Sequence, residues 1–171
     1  TDVNSTLANV KKPNQSASFM MMREDPLADP SIYLSGPNKW PDLAGFREVL
    51  EQYHAHMCAL GQQMMRIALS ALKAKPNAID MFAPPTTWLR LLQYPAMPVA
   101  SPDDLYGSAP HTDFGALTFL ATDDVGGLQV QTPDGTDWVD VPPRADAFVV
   151  NVGDMLHRFS NGTLRSTPHR V

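Results

Sequence analysis

The side chains with the strongest claim to chemistry are His111 and Asp113, separated by a single residue in His111-Thr112-Asp113. On an extended segment, residues two apart point to the same side, so an imidazole and a carboxylate face one point there. Ser108-Ala109-Pro110 precedes the pair and Phe114-Gly115-Ala116-Leu117-Thr118 follows it, a passage from loop into apolar strand that makes a corner suited to a metal. A third ligand has to come from elsewhere in the chain. His169 stands in Ser166-Thr167-Pro168-His169-Arg170-Val171, another strand-like run, 56 positions after Asp113. Two imidazoles and one carboxylate on one side of a metal leave other positions open, which suits Fe(II) holding a chelating cosubstrate and O2 together. Zinc accepts the same donors, but a closed structural zinc site wants a fourth ligand, often a cysteine, that this pattern does not supply. The residues therefore read as a non-haem Fe(II) centre at His111, Asp113 and His169.

Two kinds of element must hold these residues. Pro41 is a suitable first-turn proline, and apolar residues follow at Leu43, Phe46, Leu50, Tyr53, Met57, Leu60, Met64, Ile67 and Ala71, in alternating steps of three and four. The spacing predicts one long amphipathic helix over about residues 42–72, stopped by Lys73, Lys75, Pro76 and Asn77. Beyond it the period falls to two. Strands are expected over residues 87–94, 117–122, 127–131, 138–141, 147–152 and 164–171, with Pro133-Asp134-Gly135 and Asn161-Gly162 read as hairpin connections. Many short strands behind one helix argue for a jelly-roll or a barrel rather than a parallel α/β sheet. We read one domain: a surface segment (1–40), a supporting helix (41–75) and a β core (86–171). The last strand reaches Val171 with no terminating turn, an unprotected edge, so further chain is expected after it.

Composition narrows the function class. The 171 residues are 43% apolar and 18% charged, an ordinary globular mixture with room for one well-buried core. Net charge is -5 with lysine and arginine scattered, which removes the basic stripe of a nucleic-acid binder. No apolar run reaches membrane-spanning length and residues 1–9 carry no secretory pattern, so a cytosolic setting is the default expectation. Cys58, the single cysteine, lies in the helical stretch with no cation cluster beside it and reads as an inert thiol. Small-molecule chemistry is the reading that remains, and nothing in the sequence speaks to oligomeric state.

Taken in order, His111-Thr112-Asp113-Phe114-Gly115-Ala116-Leu117-Thr118, Asp124-Val125-Gly126-Gly127-Leu128-Gln129-Val130, Asn151-Val152-Gly153-Asp154, Asn161-Gly162 and Ser166-Thr167-Pro168-His169-Arg170-Val171 resemble the isopenicillin N synthase-like branch of the Fe(II)/2-oxoglutarate dioxygenases. The likeness is tight over about residues 89–171 and loose over the helix. It implies a distorted jelly-roll (a double-stranded β-helix, cupin-like), with strands expected beyond both ends of the chain and iron at one open end. It also implies Fe(II), 2-oxoglutarate and O2 as the reaction partners of a small organic substrate, which would leave oxidised, usually hydroxylated, with release of succinate and CO2. The family's early Tyr-Pro pair corresponds to Tyr94-Pro95, so Tyr94 is expected to line the cosubstrate pocket; many relatives carry asparagine where Leu92 stands. The family's Arg-x-Ser clamp for 2-oxoglutarate would fall beyond Val171. Arg170 is not that clamp, because on a strand it points away from the side His169 faces.

Alternation along the same early strand groups Arg90 with Leu92 and Tyr94, making Arg90 a candidate for a substrate carboxylate. Phe119 and Leu128 are candidates for pocket wall or core, and His157 for a substrate contact. His54 and His56, two apart on a helix, read as surface or packing residues, and Asp154 as a turn carboxylate. Two rivals stay open: an oxidase of the isopenicillin N synthase kind, which does not consume 2-oxoglutarate, and a jelly-roll that binds metal without turnover.

Overall fold

The computed structural model describes residues 12–25, 27, 29, 31, 32, 36–98 and 100–171. They fall into two units, Ser18–Leu92 and Gln93–Val171, the latter joined by the residues described before Ser18.

In the first unit a short strand β1 (Ala17–Met22) precedes the long helix α1 (Phe46–Ala71), a 3-10 helix (Pro76–Phe82) and strand β2 (Trp88–Gln93), and β1 pairs with β2. The segment expected to wrap the surface thus contributes a strand. Its register is extended by Asn38, whose amide exchanges two hydrogen bonds with the backbone of Met22, at 2.9 and 2.8 Å, as a neighbouring strand would. Phe19 packs edge-on against Phe46 at 5.0 Å between ring centroids and lies 5.7 Å from Trp40.

The helix starts later than its spacing suggests because Gly45 takes a left-handed conformation (φ 78°). A helical turn cannot run through such a residue, and glycine reaches it without a Cβ clash. At the far end Lys73 also goes left-handed (φ 54°), and the Ala74 N–H closes back on the Leu69 carbonyl at 3.0 Å. The buried stripe follows the expected one at Phe46, Leu50, Met57, Leu60 and Met64, all buried or half-buried, and departs from it elsewhere. Leu50 and Met65 are buried, and His54 and Cys58 are half-buried, whereas Tyr53 is 39% and Ile67 61% exposed. Steps of three and four repeat every 3.5 residues, while a straight helix turns every 3.6, so the two patterns separate by about 20° per heptad.

The second unit is β-rich. Strand β3 (Leu117–Leu120) pairs antiparallel with β6 (Val149–Val152). A second sheet has the order β5 (Trp138–Asp140), β4 (Gln129–Gln131), β7 (His169–Arg170), all antiparallel. The hairpin between β4 and β5 turns at Pro133-Asp134-Gly135 as expected, with Gly135 at φ 78° and the Asp134 carboxylate accepting from the Thr136 N–H at 3.2 Å.

Two expectations fail here. Residues 164–168 are not strand, and β7 is only His169–Arg170. Asn161-Gly162 is not a hairpin turn but the stop of a short helix α2 (Asp154–Phe159), with φ of 50° and 79°. Six residues carry too little periodicity to announce a helix, and Leu164 is drawn to the helix end: its N–H donates to Ser160 Oγ at 3.0 Å and its carbonyl meets His157 Nδ1 at 2.9 Å. Buried Ala109, Leu128 and Leu156 mark the interior of this unit. Among the described residues no helix is long and apolar enough to cross a membrane.

His54 is a packing residue, its Nε2 2.8 Å from Thr87 Oγ1 and 3.6 Å from Cys58 Sγ. Burial pushes its pKa below the usual histidine value. The folded state therefore binds this proton less readily than the unfolded chain, and stability present above the unfolded pKa, about 6.5, is lost as pH falls through the lowered one. Urea midpoints at about pH 5 and about pH 8 should differ less in His54→Gln, which keeps a hydrogen-bonding group near Thr87, than in the parent; equal differences would remove His54 as a cause.

Candidate metal centre

Backbone pairing brings the three expected ligands together. The His111 N–H donates to the His169 carbonyl at 3.0 Å and the His169 N–H returns the bond at 2.9 Å, an antiparallel bridge beside β7. The next exchanged pair is Ser108 with Val171, at 3.0 and 2.9 Å, so Ala109 and Pro110 together oppose the single residue Arg170. That is a β-bulge, and proline, lacking an N–H for the ladder, belongs at one.

Each histidine is oriented by a carbonyl two residues earlier. His111 Nδ1 meets Ala109 O at 2.7 Å and His169 Nδ1 meets Thr167 O at 3.1 Å. Both contacts call for a proton on Nδ1 and turn Nε2 toward the site, the arrangement in which imidazole ligates metal through Nε2. Asp113 Oδ1 lies 4.0 Å from His111 Nε2 and 3.7 Å from His169 Nε2. The His169 side chain is 8% exposed and that of His111 38%, so the cluster is walled on one flank and open on the other.

A metal fits this donor set. One donor atom from each of the three residues lies within 4.8 Å of the others. Donors bound at about 2.1 Å on adjacent positions of one ion stand about 3.0 Å apart, so each edge has to shorten, by roughly 0.7–1.8 Å, a change that rotations about the side-chain bonds supply. Two imidazoles and a carboxylate with an open side are the donor set of non-haem Fe(II).

Residues 86–171 match the 2OG-Fe(II) oxygenase superfamily. The chain belongs to that family. Over 173 residues it is 38% identical to the 2-oxoglutarate-dependent dioxygenase citB of Monascus ruber, covering 93% of this chain and 52% of that protein. Among solved structures, a full-length Neurospora crassa protein in complex with alpha-KG superimposes with a TM-score of 0.82 at 34% identity, over 100% of this chain and 52% of that one. JOX2 in complex with 2OG, Fe and JA gives 0.76 at 31% identity, over 92% and 45%. The chain spans about half the length of these relatives. With them it shares a mainly β architecture and a helix.

The remaining expected residues are distributed unevenly. Tyr94 packs over Gly107, where a Cβ would lie 2.8 Å from Tyr94 Cδ1. Arg90 is an exposed residue of β2, in the other unit. Phe119 is paired with Val150 and lies edge-on to Phe148 at 6.4 Å. Paired residues share a face and neighbours alternate, so Phe119 is on the side of the β3–β6 sheet opposite Asn151, the residue that touches Asp113. His157 is occupied with the Leu164 carbonyl at the end of α2. Leu128 is buried core. Arg170 points away from the metal side, with its Nε donating to Gln129 Oε1 at 2.7 Å and its guanidinium 4.3 Å from the Trp138 ring centroid. A cavity of about 530 Å³ lined by Tyr106, Gly107, Gln129, Arg170 and Val171 belongs to that Arg170 flank, not to the ligands.

Sequence reasoning missed how the Asp113 loop is fastened. The first N–H groups of α2 have no partner within the helix; Asp154 donates to the Asp113 carbonyl at 2.7 Å, and Met155 to those of Phe114 and Gly115 at 3.2 and 3.1 Å. Asp154, read as a turn carboxylate, is the first residue of α2 and accepts from Thr112 Oγ1 at 3.2 Å. Gly153 makes this docking feasible, because a Cβ there would lie 2.2 Å from the Gly115 oxygen and 3.0 Å from that of Asp113. The pairing of Asn151-Val152-Gly153-Asp154 with a later Asn161-Gly162 was the available signal for a short capped helix.

Gly153→Ala should therefore displace the ligand loop rather than fill space. Overpacking of this kind costs about 1–3 kcal/mol or more, so the denaturation midpoint should drop and metal affinity fall with it; an alanine variant as stable as the parent would contradict the close approach.

Proposed function

We propose that this chain forms the metal-binding part of a non-haem Fe(II)- and 2-oxoglutarate-dependent dioxygenase that oxidises a small organic molecule. The observation that carries the reading is the convergence of His111, Asp113 and His169 on one point with an exposed flank. The two sheets of the second unit support a distorted jelly-roll as the finer description of the fold, with β3–β6 in one layer and β5–β4–β7 with the His111 bridge in the other.

His111, Asp113 and His169 would hold the iron. When bound, iron with 2-oxoglutarate supplies the redox chemistry: one oxygen atom of O2 goes to the cosubstrate, which leaves as succinate and CO2, and the other to the substrate, which leaves hydroxylated. The protein's part is orientation and exclusion of water. The carbonyls of Ala109 and Thr167 hold Nδ1 of each imidazole and leave Nε2 aimed inward. Burial of His169 keeps solvent from one side of the centre, while the His111 flank gives cosubstrate and O2 a way in. We assign Tyr94 to the cosubstrate pocket on the strength of the Tyr-Pro motif, and Arg90 to a substrate carboxylate by strand alternation alone. The dioxygenase names of the relatives favour this reading over a 2-oxoglutarate-independent oxidase.

The test is succinate formation with Fe(II), 2-oxoglutarate and O2. The parent should release succinate in step with O2 uptake, and His111→Ala or Asp113→Ala should fall to background. Undiminished turnover in either variant would refute the ligand assignment. O2 uptake without succinate would favour the oxidase, and tight metal binding with no O2 uptake the non-catalytic jelly-roll.

A further inference from the structure

The backbones of all three ligands are fixed: His111 and His169 by their mutual bridge, Asp113 by the Asp154 N–H on its carbonyl. The histidine rings are fixed in turn through Nδ1. What the backbone leaves undecided is the rotation of the Asp113 carboxylate, which governs whether one oxygen or two faces the shared centre. Among the described residues, one side chain hydrogen-bonds that carboxylate. Asn151, on β6, donates from Nδ2 to Asp113 Oδ2 at 3.3 Å, while Oδ1 is the oxygen turned toward both histidines.

We infer that Asn151 is a positioning residue for the metal centre, holding the outer oxygen of Asp113 so that this ligand meets the ion through Oδ1 alone. The inference rests on the ligand assignment above and deepens it. Its chemical sense follows from counting positions. An ion with six places that takes two imidazoles and one carboxylate oxygen keeps three, enough for a bidentate cosubstrate and O2; a carboxylate using both oxygens would occupy one of them.

The orientation of the amide follows from its neighbour. An ionised carboxylate only accepts hydrogen bonds, so the NH2 end of Asn151 must face it. A separation of 3.3 Å is long for a bond to a charged group, which ordinarily closes to about 2.7–2.9 Å. Asn151 therefore selects an orientation more than it adds to folding stability. Its own place is secured by the β3–β6 ladder, where it lies opposite Thr118. Groups that orient a metal ligand from behind typically change affinity about 10- to 100-fold when removed.

Co(II) is the probe, since it occupies Fe(II) sites and its visible bands report coordination. Asn151→Ala should bind Co(II) about 10- to 100-fold more weakly than the parent, with a changed visible spectrum and a metal-free melting temperature close to that of the parent. Asn151→Leu, which keeps the branching at Cγ and lacks the donor, should do the same, and it carries the test if the alanine variant does not fold. Parent-like affinity and spectrum in the folded variants would overturn the role of Asn151 while leaving the centre intact. Failure of the parent to bind Co(II), or binding undiminished in His169→Ala, would overturn the centre itself and the inference with it.

Discussion

Two backbone hydrogen bonds between His111 and His169 are the constraint on which the site depends. The residues stand 58 positions apart in the chain, and closing a loop of that length carries an entropic cost that no side-chain contact between two imidazoles would offset. The bridge meets that cost during folding, with peptide groups that would otherwise need other partners. Because it joins the ligands through their own main chains, the rings arrive with centroids 4.3 Å apart before any metal is present. The adjoining bulge at Ala109-Pro110 adds a second effect. One extra residue on that side changes the pleat between Ser108 and His111, so the imidazole aims inward at a register where a regular strand would have aimed a different side chain.

The bridge is itself held from two sides. On one, β7 pairs with β4, placing Val130 opposite His169 and Gln129 opposite Arg170. The two β7 residues point to opposite faces, and each face has its own chemistry. His169 faces His111 and Asp113, the candidate metal site. Arg170 is pinned by Gln129, by the Trp138 ring and, at 5.8 Å, by Tyr106, while Gln129 is tied in turn to the Asp140 carboxylate at 2.8 Å. A two-residue strand has few ladder bonds of its own; the arginine stack supplies the lateral grip they lack. On the other side the Asp113 loop is fastened by the N-terminus of α2, where Gly153 lets the two backbones approach.

What could be read in the chain and what could not divide along physical lines. The convergence of His111, Asp113 and His169 was legible because metal ligation demands particular residue types, and residue types are what a sequence states. The β4–β5 hairpin was legible because Pro133-Asp134-Gly135 has local turn chemistry. The helix α1 was legible in existence and in much of its buried face, where Leu50, Met57, Leu60 and Met64 are buried or half-buried, but about a tenth of a residue per turn, accumulated over 26 residues, brings Met65 inward where Ile67 was expected. Strand β1 was passed over because its neighbours are rich in turn formers, and a strand of that kind is decided by its partner β2 rather than by itself. Helix α2 and the irregular run after it depend on Leu164 meeting His157 and Ser160, and no pattern in one stretch of sequence encodes a contact of that sort.

Asn151 stands inside the block Asn151-Val152-Gly153-Asp154, yet neither motif spacing nor periodicity assigns its side chain a role. Within β6 it alternates like its neighbours, and asparagine in a strand is more often a sign of an edge or a turn than of function. Its meaning comes from the pairing of β6 with β3, which aligns it with Thr118 and sets its amide against the Asp113 carboxylate. The same pairing sends Phe119 and Val150 to the opposite face. The sheet thus sorts its residues by register into those that reach the metal ligands and those that pack away from them. A one-residue slip between β3 and β6 would exchange the two sets, putting an apolar side chain where the amide stands and leaving the outer oxygen of Asp113 without its donor. Register, more than the identity of any further polar residue, therefore decides how many positions of a bound ion remain available for chemistry.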